Sequence, residues 1–207
     1  NNQRPSSTVE FKQKADEKKR TLIFGADGIC EACRYAEQKK SINWDDRHKE
    51  LEELCNRFRR SDGRYDVVVP GSGGKDSVQA AHILKYKYNM NPILITWPPA
   101  LYTDIGRRNF DAWLDAGFAN YTYNQNKKLH RFLTKNAFLN LGHPFQPFIL
   151  GQKNLAPRLS VLLDIPLVIF GENEAEYGNS IEDNEKPTRD QKYYSAELGI
   201  QDLVLGG

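Results

Sequence analysis

Tyr65-Asp66-Val67-Val68-Val69-Pro70-Gly71-Ser72-Gly73-Gly74-Lys75-Asp76-Ser77 is the stretch whose reading decides the fold. Val67, Val68 and Val69 are β-branched and read as a short buried strand. Pro70 stops the strand, and Gly71, Gly73 and Gly74 follow with backbone angles closed to residues that carry a Cβ. From Asp76 onward Val78, Ala81, His82 and Lys85 recur at spacings of three and four, the period of a helix. Strand, glycine-rich turn and helix in that order make an anion cradle. The amides of the turn and of the first helical turn converge on one spot, and the helix dipole favours negative charge there.

Two phosphate motifs compete for this stretch. A Walker A loop requires G-x-x-x-x-G-K-[ST], with the last hydroxyl on a magnesium ion. Counting back from Gly74-Lys75 places its first glycine at Val69, and the residue after the lysine is Asp76, so that motif fails twice. What fits is S-G-G-x-D-S, as Ser72-Gly73-Gly74-Lys75-Asp76-Ser77, which resembles the PP-loop of the N-type ATP pyrophosphatases. The resemblance implies cleavage of ATP between its α- and β-phosphates and adenylation of a substrate oxygen. The competing reading is an ordinary glycine-rich turn that binds nothing, and the six-residue match in a strand–helix context favours function.

The 207 residues can hold one α/β domain and a small appendage. With 39% hydrophobic and 27% charged residues the composition is that of a soluble globular protein. No apolar run approaches the roughly 20 residues that span a bilayer, so no membrane partner is expected. No secretory pattern opens the chain. The balance of 29 basic and 27 acidic side chains leaves a net charge of +2, which does not call for nucleic acid. Three cysteines, an odd number, argue against a disulfide framework and for a reducing compartment, hence a cytoplasmic location. The start at Asn1 and the stop at Leu205-Gly206-Gly207, within what reads as a strand and turn, suggest a piece of a longer polypeptide.

Residues 1 to about 20 are polar, and their basic cluster, Lys12, Lys14, Lys18, Lys19 and Arg20, reads as a solvated surface rather than a nucleic-acid arm. Thr21 to Phe24 reads as a strand, Ala26-Asp27-Gly28 as a turn, and Cys30-Glu31-Ala32-Cys33 follows at once. Two thiolates on a tight turn can share one tetrahedral zinc ion, so Cys30 and Cys33 form half of a zinc knuckle. Three readings stay open: a zinc site completed by residues ahead of Asn1, a redox or sulfur-carrying pair, or two cysteines without a role. Cys55 shares a helical face with Leu51, Leu54 and Phe58 and reads as a core thiol, while His48 reads as solvent-facing. Asn43 caps a helix reaching about Arg60, and Ser61-Asp62-Gly63 ends it. The expected domains are therefore residues 1–62, a zinc-ribbon-like segment with its helix, and residues 63–207, the PP-loop domain.

In that second part strands and helices alternate: 66–69, helix 76–89, strand 92–97, helix 104–116, strand 118–123, helix 127–140, a helix over 148–163 broken at Pro157, and strand 166–170. Ile105, Trp113 and Leu114 are expected inward on the 104–116 helix. This alternation predicts an α/β fold with a doubly wound parallel sheet. Ligands of such sheets sit beyond the carboxyl ends of the strands. Three segments meet that condition: the PP-loop, Thr96-Trp97-Pro98-Pro99, and Gly171 to Gly178, which carries Glu172, Glu174 and Glu176. Thr96 and Trp97 are thus candidates for nucleotide contact. The clustered carboxylates Glu172, Glu174 and Glu176, directly after a buried strand and facing a phosphate site, suit Mg²⁺ shared with the nucleotide, with Glu172 and Glu176 favoured by their place between flanking glycines. A merely solvated acidic loop is the alternative, because Glu182, Asp183 and Glu185 continue the run.

A Cys-x-x-Cys, a helix beginning near Ile42-Asn43-Trp44 with Arg47, a PP-loop, and Gly171-Glu172-Asn173 leading to Glu176-Tyr177-Gly178 form a specific order of parts. That order resembles the N-acetyl sugar amidotransferases of bacterial surface polysaccharide and lipopolysaccharide O-antigen biosynthesis. Thr103, Gly106 and Asn109 are similar to the family's pattern as well, and the family's first cysteine pair is absent here. The resemblance implies conversion of the N-acetyl group of a nucleotide-linked sugar into an acetamidino group. ATP would adenylate the amide oxygen, and ammonia would displace AMP. It also implies a structural zinc ion and partners similar to glutaminase and cyclase subunits that supply the ammonia. Ser72, Gly73, Gly74, Lys75, Asp76 and Ser77 would hold the pyrophosphate, Asp76 with Glu172 or Glu176 would hold Mg²⁺, and Lys75, Asp76, Glu172 and Glu176 would have catalytic roles. Two other classes remain: a PP-loop tRNA thiolase, and an ATP-binding module without turnover.

Overall fold

Val67, Val68 and Val69 are fully buried, and their alternation sorts the interior into two layers. Strand β1 (Val67–Pro70) lies in the middle of a four-stranded parallel sheet in the order β3-β2-β1-β4. β2 is Pro92–Thr96, β3 Ala119–Thr122 and β4 Leu167–Val168. β1 pairs with β2 from Val67 against Pro92 to Pro70 against Ile95, and with β4 through Val67 against Leu167. The computed structural model describes residues 24–172 and Thr188. Two compact units divide the chain, and the sheet belongs to the unit Arg47–Glu172.

Successive side chains of a strand point to opposite faces. Val67 and Val69 join Leu94, Leu167, Ala81, Leu84, Phe110 and Trp113 on one face. Helices α2 (Trp44–Phe58, through its Cys55), α3 (Lys75–His82) and α4 (Asp104–Asp115) cover that face. Val68 and Ile95 face the other way, onto Leu155, Ala156 and Leu159 of α6 (Gln146–Leu162). α5 (Lys127–Leu141) packs beside α6. Helices on both faces of an all-parallel sheet make this the α/β fold that the sequence predicts.

Four local expectations change. The helix after the loop widens at residues 83–87 into a π-helical turn, in which the Tyr88 N–H bonds to the Ile83 carbonyl at 3.2 Å. Pro157 does not break its helix, and α6 runs through it. Ile105 is 64% exposed. At 100° per residue it lies about 110° from the stripe formed by Phe110 and Trp113. His48 is not solvent-facing either: its Nδ1 lies 2.5 Å from the buried Tyr88 hydroxyl. Cys55 is the core thiol expected, and burial pushes its titration up.

At the other end of the sheet Asp66 is 1% exposed and accepts from the Asn91 N–H at 2.8 Å and the Arg60 N–H at 3.3 Å. It replaces water for two amides that no strand satisfies. Asp66→Ala should cost about 1–3 kcal/mol for each amide left buried and unpaired. Urea denaturation measures the loss, and a cost under about 0.5 kcal/mol, typical of a surface change, would contradict this role.

Candidate functional site

The glycine turn leaves β1 at the centre of the sheet. Gly71 donates its N–H to the Ile95 carbonyl at 3.0 Å, and its own carbonyl accepts from the Thr96 hydroxyl at 2.7 Å. Thr96 Oγ1 accepts in turn from Asn120 Nδ2 at 2.9 Å, and Asn120 Oδ1 accepts from Thr122 Oγ1 at 2.6 Å. The next glycines differ in what they do. Gly73 has φ +90°, and a Cβ there would lie 2.7 Å from the Phe110 Cα of α4. Gly74 has an ordinary φ of −69°, caps α3, and has nothing within 4 Å of a Cβ. Backbone and packing therefore demand no glycine at 74. A Cβ there would meet open space at the exposed start of α3.

A glycine cap also offers no side-chain acceptor to the first amides of α3. The Gly74 carbonyl accepts from the Val78 N–H and from Ser77 Oγ, both at 3.0 Å. Ser77 is buried and works inside the turn rather than projecting from it. Lys75 is exposed and reaches Asp76 Oδ1 at 2.5 Å, and Asp76 is half-exposed. Gly171, just past β4, crosses directly over this start: a Cβ on it would lie 2.5 Å from the Asp76 carbonyl carbon and 2.6 Å from the Ser77 nitrogen. Ser72, Gly73, Gly74, Lys75, Asp76 and the exposed Glu172 are thereby brought to one place by backbone packing alone. Glu174 and Glu176 lie outside the described residues.

The site sits where the strand order reverses. β1 leads outward to β2 and then β3, while the chain returns to the other side of β1 as β4. Parallel α/β sheets open a crevice at such a point.

Thr96 requires a correction. It was expected to touch nucleotide, yet it is fully buried and its hydroxyl is used as donor and acceptor within the protein. It supports the loop instead. Trp97 stacks on Tyr123 at 5.3 Å and 15°, and the backbone of Gly151 in α6 approaches so closely that a Cβ would lie 2.2 Å from the indole. Asn120, Thr122 and the brace of Gly73 on Phe110 carry no expectation from the sequence alone. A signal for the first two existed, since polar residues two apart in a strand share a face.

The cysteines can be tested for zinc. Cys30 forms an antiparallel bridge with Phe24 and caps helix α1 (Glu31–Ser41), and its Sγ lies 3.5 Å from Cys33 Sγ. Two sulfurs bound tetrahedrally at about 2.3 Å from zinc would stand about 3.8 Å apart. The pair fits as two ligands of four. No third His, Cys, Asp or Glu joins them among the described residues. The Cys30 hydrogen bond, and then its charge, push the Cys33 thiol up, which a shared cation would reverse. Asp27 is engaged elsewhere: the Ile29 amide, then Arg34 at 2.6 Å, hold its carboxyl below the usual range. For Mg²⁺, one or two carboxylates beside a phosphate site suffice, and Asp76 and the exposed Glu172 are the carboxylates that could serve.

No family model matches the chain. A protein of Methanocaldococcus jannaschii described as uncharacterized is 32% identical over 77 residues. The match takes in 37% of this chain and 27% of the length of that relative.

The two neighbouring glycines generate a prediction. Gly73→Ala should cost about 2–4 kcal/mol, from the positive φ and the collision with the α4 backbone. Gly74→Ala should change stability by less than about 1 kcal/mol, because its conformation suits alanine. Thermal denaturation of both variants checks this. Equal costs would show that the turn is held otherwise.

Proposed function

We propose that this protein is a cytoplasmic ATP-dependent amidotransferase of the PP-loop type, forming AMP and pyrophosphate and acting on the N-acetyl group of a nucleotide-linked sugar. The observation that supports the reading is the convergence at the sheet's switch point. A glycine turn with open space beside a helix N-terminus, a lysine and the Asp76 carboxylate share one place, and Glu172 follows the Gly171 that crosses the Asp76 backbone. Space and amides suit a polyphosphate, and the carboxylates suit its metal. Such chemistry asks little covalent work of the protein beyond orientation and charge stabilisation.

An amide resists attack because nitrogen donates into the carbonyl and its oxygen leaves poorly. In the proposed reaction the amide oxygen attacks the α-phosphorus, and the bond to the β-phosphate oxygen breaks with release of pyrophosphate. Ammonia then adds to the imidate carbon, the C–O bond breaks, and AMP departs with its electron pair. Loss of a proton leaves the acetamidino group. The turn amides and Lys75 bind the departing pyrophosphate, and Asp76 with Glu172 would hold Mg²⁺, which would supply countercharge to it. Cys30 and Cys33, with further ligands beyond them, would hold zinc in a structural role.

Full-length protein incubated with ATP, Mg²⁺, ammonium and nucleotide-linked N-acetyl sugars should yield AMP and pyrophosphate. Release of ADP and phosphate would sink the proposal, and sulfur incorporation into RNA would move the protein to the thiolases. Asp76→Asn should keep the fold and lower turnover by about a hundredfold or more.

A second expectation concerns nitrogen. An adenylated amide open to water hydrolyses back, so ammonia is best delivered under shelter by a glutaminase partner. Turnover by the protein alone should require high ammonium, with glutamine serving once the partner is added. Efficient glutamine use by the isolated full-length chain would refute this.

A further inference from the structure

The hydrogen-bond chain Thr122–Asn120–Thr96–Gly71 has a direction that its last member dictates. A carbonyl oxygen only accepts, so Thr96 commits its one hydroxyl hydrogen to Gly71 O at 2.7 Å. Thr96 Oγ1 must then accept, and only the NH₂ end of Asn120 can supply the hydrogen, at 2.9 Å. That fixes the amide's orientation and leaves Asn120 Oδ1 to accept from Thr122 Oγ1 at 2.6 Å. Three bonds therefore run one way, from β3 across β2 to the turn. Thr96 is fully buried, so water does not compete for the inner links.

A trans peptide sets its C=O and the following N–H on opposite sides. The Gly71 carbonyl faces β2, so the Ser72 N–H faces away from β2, toward the side of β1 where β4 pairs. On that side Gly171 crosses the Asp76 backbone and Glu172 follows. Glycine on the carbonyl side of this peptide leaves it free to rotate unless something holds it. We propose that Thr96, Asn120 and Thr122 are positioning residues of the anion site: they hold the Gly71–Ser72 peptide so that its N–H meets a phosphoryl oxygen. The proposal rests on the reading of the turn as a pyrophosphate cradle. None of the three side chains touches the ligand, and their effect passes through one peptide plane.

Titration calorimetry of the full chain with magnesium pyrophosphate tests it. Thr96→Val keeps the shape of the side chain and removes the hydroxyl, and should weaken binding about tenfold, the worth of one well-placed hydrogen bond. Thr96→Ser restores the donor and should return affinity to within about twofold of the starting protein. Leu155→Ala, in the apolar layer under α6, should lower the melting temperature and leave the affinity unchanged. If Thr96→Val fails to fold, Thr122→Val at the half-buried outer end carries the test, with binding about two- to fivefold weaker. Unchanged affinity in the valine variants overturns the positioning role and leaves the cradle standing. Weakening by Leu155→Ala equal to that of Thr96→Val also overturns it, because general loosening would then explain both. Absence of binding by the starting protein overturns the cradle reading itself, and this role with it.

Discussion

Gly71 is held on one side by β2, and the rest of the site follows from that constraint. Its N–H and C=O both engage β2, through the Ile95 carbonyl and the Thr96 hydroxyl. Polar backbone groups at a buried strand end are costly if unpaired, so the turn has little freedom in how it leaves the sheet. From there Gly73 must pass beneath α4 at Phe110, and Gly74 delivers the chain into α3 with space above it. A side chain at Gly71 would meet Ser77 at 2.4 Å, so the turn is also closed from within.

The second half of the site arrives from far along the sequence by the same means. β4 is short, two paired residues, yet it is enough to aim Gly171 across the start of α3. The turn after α6 is tied down by Arg60, which bonds the Asp164 carbonyl at 2.6 Å and its carboxylate at 3.0 Å. Such a partly exposed ion pair is worth little by itself. Its use here is geometric, since Asp164 with φ 53° turns the chain from helix into strand.

Much of this was legible because the signals were local. Three valines, a proline and spaced glycines specify a strand and turn within thirteen consecutive residues, and the alternation of elements implies the parallel sheet. Cys55 was readable as a core thiol because its neighbours repeat with the period of a helix. What could not be read depends on distant pairing. Thr96 looked like a ligand contact from its place at a strand end, and its real partners, Gly71 and Asn120, lie 25 and 24 residues away. Pro157 looked like a break, but the burial of Leu155, Ala156 and Leu159 against Val68 and Ile95 holds α6 continuous across it. Tertiary packing overrides local propensity at that point.

The indoles are sorted by environment, and this gives the molecule an optical readout. Trp113 is 2% exposed, and its ring lies 3.0 Å from where a Cβ of Gly71 would stand. Trp97 rests half-buried against Tyr123 at the end of β2, and Trp44 is 61% exposed. Indole emission moves to shorter wavelength as water is excluded, so the blue edge of the spectrum belongs to Trp113 and the red edge to Trp44. An exposed indole such as Trp44 is open to an aqueous quencher such as iodide, and a buried one such as Trp113 is shielded from it. A shift of the glycine turn would disturb the blue component while the red one stays constant, so the spectrum carries its own internal reference and needs no attached dye.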